Sequence, residues 1–170
     1  MKKLTFLLGL ASTLCFGQED KVAAHTYNAE IGFVGAWVNT EIGLSDQWAV
    51  RAEIGTLPKW YAGVGTGWFL DASLEPRYYY NIKRRAEQGK NTTANAANFL
   101  TVGISYRPEK SFGGQYTDYQ SISIVPKWGI RRNLGDHFHY EVGAGFGFRH
   151  QFNDLNYGEI DLHLRIGYHF

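Results

Sequence analysis

Charged residues recur at alternate positions along the chain, and their spacing limits the chemistry available to them. Side chains two apart on a strand share a face. By that phase one face carries the acids Glu53, Asp71, Glu75, Glu141, Glu159 and Asp161, and the bases Arg51, Arg77, Arg107, Lys127, Arg131, Arg149 and Arg165. The two signs nearly balance. Glu75 with Arg77, Arg51 with Glu53, and Asp161 with Arg165 are therefore expected to neutralise one another as a structural plug. A selective ion path would favour one sign of charge and a wider bore.

The histidines invite a metal or acid-base reading. His137 and His139 are two apart, and His163 and His169 lie in the last segment. No cysteine is available to join them and no carboxylate is fixed beside them by spacing, so no metal site is expected. A hydrolytic site needs a serine within reach of a histidine and a carboxylate. His150 falls on the apolar face, while Ser121 and Ser123 fall on the polar one. Phosphate loops and nucleotide fingerprints are missing. No catalytic, cofactor-binding or metal-binding residue is therefore assigned. Asn91-Thr92-Thr93 matches a glycosylation sequon, to which no role is assigned.

The chain has 170 residues, with 20 Gly, 11 Phe, 11 Tyr and 5 Trp, and only 19% charged residues. Aromatic and β-branched residues are too plentiful for disorder. The formal net charge of +1 gives no bulk reason for a nucleic-acid partner. Met1-Lys2-Lys3 followed by the apolar run Leu4–Phe16 reads as a cleaved signal peptide over residues 1–17, leaving a single domain over 18–170. Cys15, the one cysteine, lies inside that segment. No later apolar run reaches the roughly 18–20 residues of a membrane helix.

Beyond the signal the period is two, not 3.6. Ile160, Leu162, Leu164, Ile166, Tyr168 and Phe170 alternate with Glu159, Asp161, His163, Arg165, Gly167 and His169. The same alternation runs through segments containing Phe138–Phe148, Ile122–Ile130, Leu100–Tyr106, Leu74–Tyr80 and Trp48–Ile54. A seventh stretch runs from about Tyr27 to Gly43. Because an up-and-down barrel with both termini on one side needs an even number of strands, the 21–43 region is expected to hold two strands joined near Gly32–Gly35, which makes eight. Leu44–Gln47 and Asn133–His137 read as tight turns. Residues 58–67, 108–118 and 153–158 read as looser connectors, and Lys83–Asn95 as the longest.

Alternation alone suits a soluble barrel with its apolar face inside or a membrane barrel with its apolar face outward. Three features favour the second. The polar face carries Gly43, Gly55, Gly103, Gly129, Gly143, Gly145, Gly147 and Gly167, as a narrow lumen requires. Trp48, Phe138 and Tyr140 open strands where Tyr78, Tyr80, Tyr168 and Phe170 close them, so antiparallel pairing gathers them at one rim, like an interfacial girdle. An export signal accompanies a strand ending in phenylalanine.

Asp161-Leu162-His163-Leu164-Arg165-Ile166-Gly167-Tyr168-His169-Phe170 resembles the final strand of bacterial outer-membrane β-barrel proteins. The chain is similar in size and layout to the small eight-stranded barrels of OmpA/OmpX type. The resemblance implies an all-β, antiparallel up-and-down transmembrane barrel in the outer membrane of a Gram-negative bacterium. Its implied partners are outer-membrane lipids and the barrel-assembly machinery, which reads the strand ending at Phe170. The expected state is a monomer and the expected role structural, surface-exposed or interactive. A lipid-modifying enzyme, a narrow channel and a soluble periplasmic barrel are the alternatives. The long Lys83–Asn95 connector departs from the resemblance, because it falls on the side where turns are usually short.

Overall fold

The computed structural model describes residues 20–61, 65–109, 111–112 and 119–170, the last pair before the gap as backbone only. The signal-peptide assignment at 1–17 lies outside the described residues. The strands are β1 (His25–Gly32), β2 (Gly35–Gly43), β3 (Trp48–Tyr61), β4 (Gly65–Tyr78), β5 (Asn98–Arg107), β6 (Ser111–Phe112), β7 (Ser121–Leu134), β8 (Phe138–Gln151) and β9 (Leu155–His169). Each pairs antiparallel with its neighbours, and β6 extends the β5 side against β4. β1 pairs with both β2 and β9, so eight staves close into one barrel. Closure pairs the first strand with the last, and an edge remains where β3 and β9 run beyond the ends of β2 and β1.

The 21–43 region does hold two strands, joined through Phe33-Val34. The connectors expected at 58–67 and 153–158 are shorter than the sequence implies. β3 continues to Tyr61, β4 starts at Gly65 and β9 starts at Leu155. The missing signal has a physical cause: Leu155 to Gly158 are all exposed, so no buried face imposes an alternation there. Ser111–Phe112 likewise continues strand pairing inside the expected 108–118 connector.

Three prolines, Pro58, Pro76 and Pro126, sit within wall strands, and pairing lapses beside the last two. β4–β5 pairing lapses at Glu75-Pro76 and β7–β8 pairing at Val125-Pro126, with the register unchanged on either side. A proline has no N–H to donate. At the first lapse the Thr101 hydroxyl donates to the Pro76 carbonyl at 2.8 Å.

The Lys83–Asn95 connector is ordered. It forms α1 (Ile82–Glu87) and a 3-10 turn (Thr93–Asn95) at the end of the barrel where Trp48, Tyr78 and Tyr168 also lie. Ile82, Ala97, Val22, Ala49, Tyr79 and Phe99 pack there as a small apolar cluster. At the same rim Trp48 stands 4.9 Å from Tyr78, and Phe138 5.4 Å from Tyr168, ring to ring.

Candidate functional site

The barrel is inverted relative to a water-soluble fold. Arg51, Arg131 and Glu141 are each 0% exposed, while Leu162 is 72%, and Ile160 and Phe148 71% exposed. The strand pleat puts most charges inside and most large apolar residues outside, with Trp37, Phe69, Phe99 and Val125 among the apolar residues turned inward. Glycines on the inner face make room for bulky neighbours. Phe99 lies directly over Gly129, and Trp37 over Gly55.

Strand register places unlike charges side by side. Glu41 is opposite Arg51, Arg51 opposite Glu75, Arg131 opposite Glu141, and Glu141 opposite Arg165. The side chains then reach further, across the axis. Glu141 accepts hydrogen bonds from Arg51 Nη1 at 2.9 Å, Arg77 Nη1 at 2.9 Å and Arg131 Nε at 2.9 Å. Arg51 also reaches Glu30 at 2.5 Å and Glu53 at 3.2 Å. Arg77 pairs with Glu75 at 2.7 Å and Glu41 at 3.3 Å, and Arg131 with Glu41 at 2.9 Å. Three arginines (Arg51, Arg77, Arg131) and five glutamates (Glu30, Glu41, Glu53, Glu75, Glu141) thus form one continuous knot at mid-barrel. Buried charges are tolerable only when paired and hydrogen-bonded in this way.

Two of the expected pairs form, Glu75 with Arg77 and Arg51 with Glu53. The third does not. Arg165 turns to Glu53 at 2.7 Å and Glu30 at 3.1 Å, its guanidinium lying over the Trp37 ring at 3.9 Å. Asp161 instead meets Lys127 at 3.1 Å and His163 at 3.5 Å. Spacing of four on one strand places two side chains roughly 13 Å apart along it, so cross-strand partners are nearer. Sequence phase missed Glu30 and Glu41, because Gly32-Phe33-Val34-Gly35 interrupts the alternation between β1 and β2. Both are fully inside.

The lower end of the lumen is stoppered. Tyr79 donates its hydroxyl to Glu41 Oε2 at 2.6 Å, and Asn95 Nδ2 donates to the same oxygen at 2.8 Å. Asn95 Oδ1 accepts from the Ala23 N–H at 2.8 Å, and Arg131 Nη1 donates to the Ala94 carbonyl at 3.1 Å. Ala94 and Asn95 hold φ of 49° and 64°, a left-handed kink that aims the amide inward. Burial, then the Glu41 charge, push the Tyr79 phenol well above its ordinary range. Outside, Lys83 on α1 reaches Asp46 in the β2–β3 turn at 2.8 Å. That hydrogen bond and charge lower the Asp46 pKa and raise that of Lys83.

The upper end is different. A cup of about 200 Å³ opens there, lined by the pairs Arg107–Asp71 at 3.0 Å, Arg149–Glu159 at 2.6 Å and Lys127–Glu75 at 2.5 Å.

Three histidines gather at one rim, where His169 lies 6.0 Å from His137 and 5.9 Å from His139, ring to ring. His139 is buried and 3.1 Å from Glu30, whereas His137 precedes β8 and stacks on Tyr168 at 5.3 Å. Their spacing of two does not put them on one strand face, because β8 begins between them. His163 sits 3.4 Å from Glu141. Among the described residues, no group of three or more His, Cys, Asp or Glu is arranged to hold a metal ion. His150 meets Asn156 at 2.9 Å on the outer face, while Ser121 bonds Arg149 at 2.9 Å and Ser123 bonds Ser105 at 2.7 Å on the inner face.

No family model, curated protein or solved structure matches this chain.

Proposed function

We propose that this chain is an integral outer-membrane β-barrel protein, monomeric, with a structural or surface-exposed role and a lumen closed by paired charges. The observation that carries this reading is the inversion of its faces. A belt of exposed Val, Ile, Leu and Phe side chains surrounds a charged interior, and an apolar solvent for the outside makes sense of both. The rim of Trp48, Tyr78, Phe138 and Tyr168 supplies an interfacial girdle, and the alternating strand ending at Phe170 supplies the recognition element for barrel assembly. An N-terminal signal peptide would take the chain to the periplasm first.

The test is fractionation with a heat-modifiability gel. A closed barrel pairs its wall backbone internally and resists SDS until heated. The protein is expected in the outer-membrane fraction, migrating faster unheated than boiled. Recovery in the soluble periplasm with no heat shift would refute the reading.

A further inference from the structure

The staves of this barrel are unequal. β1 and β2 have 8 and 9 residues, whereas β3, β4, β7, β8 and β9 have 14 or 15. Pairing of β2 with β3 stops at Ala36–Thr56, and pairing of β1 with β9 stops at Gly32–Arg165. Above those points Leu57–Tyr61 on one side and Leu155–Leu164 on the other flank a notch two staves wide. It is about 16 Å deep on the shallower, β3 side at the usual strand rise.

The hairpin tip at the floor of this notch is Phe33-Val34, with Phe33 94% exposed. A tip standing in water would be expected to carry polar turn residues. An apolar tip suits a hairpin that ends within hydrocarbon. Turn backbone at that depth is tolerated where it lines a polar cavity, and Gly32, Phe33 and Val34 do line the upper cup.

On the outside, below the notch, runs an apolar groove of about 990 Å³ lined by Ile31, Ala36, Val38, Ile54, Leu70 and Leu164. The small side chain of Ala36 leaves much of its floor open. Cup and groove share Gly32, Phe33, Trp37 and Leu164, so they adjoin at the notch. The cup is smaller than the roughly 300–1,000 Å³ of pockets that enclose a whole small molecule. It has room for a head group whose chain stays outside.

The charges in the cup are matched pairs of both signs, so a head of one sign would gain one partner and offend the other. A head carrying an anion and a cation suits both. Arg107 Nε and Arg165 Nε are buried donors with no protein acceptor, and both residues line the cup. Guanidinium is the side-chain group best matched to phosphate oxygens, and these two lie in the wall of the cup.

We infer that the notch is a lateral portal, where a zwitterionic amphiphile with one aliphatic chain lays the chain in the groove and its phosphate-bearing head in the cup. The inference rests on the membrane reading above. The probe is dodecylphosphocholine, added to full-length mature protein folded in dodecyl maltoside and read by native mass spectrometry. The expected result is one retained phosphocholine per barrel, saturating with concentration. Ala36→Trp should fill the groove and lower the bound fraction at least tenfold, and Val38→Trp repeats the test if Ala36→Trp does not fold. Ala144→Trp, also outward-facing but outside the groove, should bind as the wild type does. A ladder of adducts identical in all these proteins would overturn the portal. Flotation of the same wild-type protein with phospholipid vesicles separates the two readings. Protein that floats without a saturable adduct sinks the portal alone, whereas protein that does not float sinks both.

Discussion

Arg51 on β3 and Glu141 on β8 meet at 2.9 Å although their strands stand on diametrically opposite sides of the eight-stave ring. Three strands lie between the two backbones either way round, so the contact spans the bore. Arg77 and Arg131 converge on the same carboxylate from two further staves. Glu141 is thus the residue at which the lumen is closed.

Removing that carboxylate takes a shared partner from three buried guanidinium groups at once. Glu141→Ala should destabilise the barrel by about 3–5 kcal/mol, the usual cost of breaking a buried pair, reduced by whatever water the lumen admits. Arg77→Ala should do the same through Glu75, Glu41 and Glu141. Urea unfolding in vesicles reads both, and a wild-type midpoint for the two variants would show that the knot contributes nothing.

The same closure predicts poor conduction. Reconstituted wild-type protein should give little or no single-channel current in planar bilayers, because the balanced pairs at mid-barrel fill the cross-section. A large, charge-selective conductance would contradict the geometry of Arg51 and Glu141.

Leu164 points outward and Arg165 inward on the last strand. Leu164→Arg should cost about 2–4 kcal/mol if Leu164 faces the bilayer midplane. A leucine on a water-facing surface would tolerate the change, so an unchanged folding midpoint in vesicles would reverse the assignment of the faces.

Asn95 ties the lower stopper to the barrel. Asn95→Ala removes the bonds to Glu41 and Ala23 and forces alanine into a left-handed conformation. Its cost should be about 2–4 kcal/mol, combining unsatisfied partners with backbone strain. Asn95→Gly restores the backbone freedom but not the bonds, and should recover only part of the loss. Faster proteolysis within residues 83–92 in both variants would report the freed connector, and wild-type protection in both would refute the stopper.

The exposed Lys83–Asp46 pair gives a pH dependence of defined sign. The Asp46 pKa is lowered in the folded protein, so its contribution to holding the connector is present above the ordinary aspartate range. It fades as the pH falls through the lowered value. In Lys83→Ala, the Asp46 titration followed by NMR should move up toward the ordinary range. Added salt should reduce the wild-type shift. A titration unmoved by the substitution would disprove the pairing.

The alternation of Ile160 to Phe170 with Glu159 to His169 was enough to determine an all-β chain and which side chains share a face. Strand period is a local property, set by the pleat of each segment alone. The count of eight followed from the seven visible segments, the even number an up-and-down barrel needs, and a turn near Gly32–Gly35. The sequence did not disclose that Asp161 would choose Lys127 over Arg165, or that Arg51 would reach Glu141. Those contacts depend on how the staves are staggered when the sheet closes. Nor did it show that Glu30 and Glu41 complete the knot, because the apolar tip Phe33-Val34 hides the phase of β1 and β2. The polar run at Lys83–Asn95 looked like a loop because its hydrogen bonds go to Glu41, Arg131 and Ala23. These partners are distant in sequence, and only the closed barrel brings them underneath one another. The notch, too, comes from comparing stave lengths around a ring, a relationship that exists only once the ring is formed.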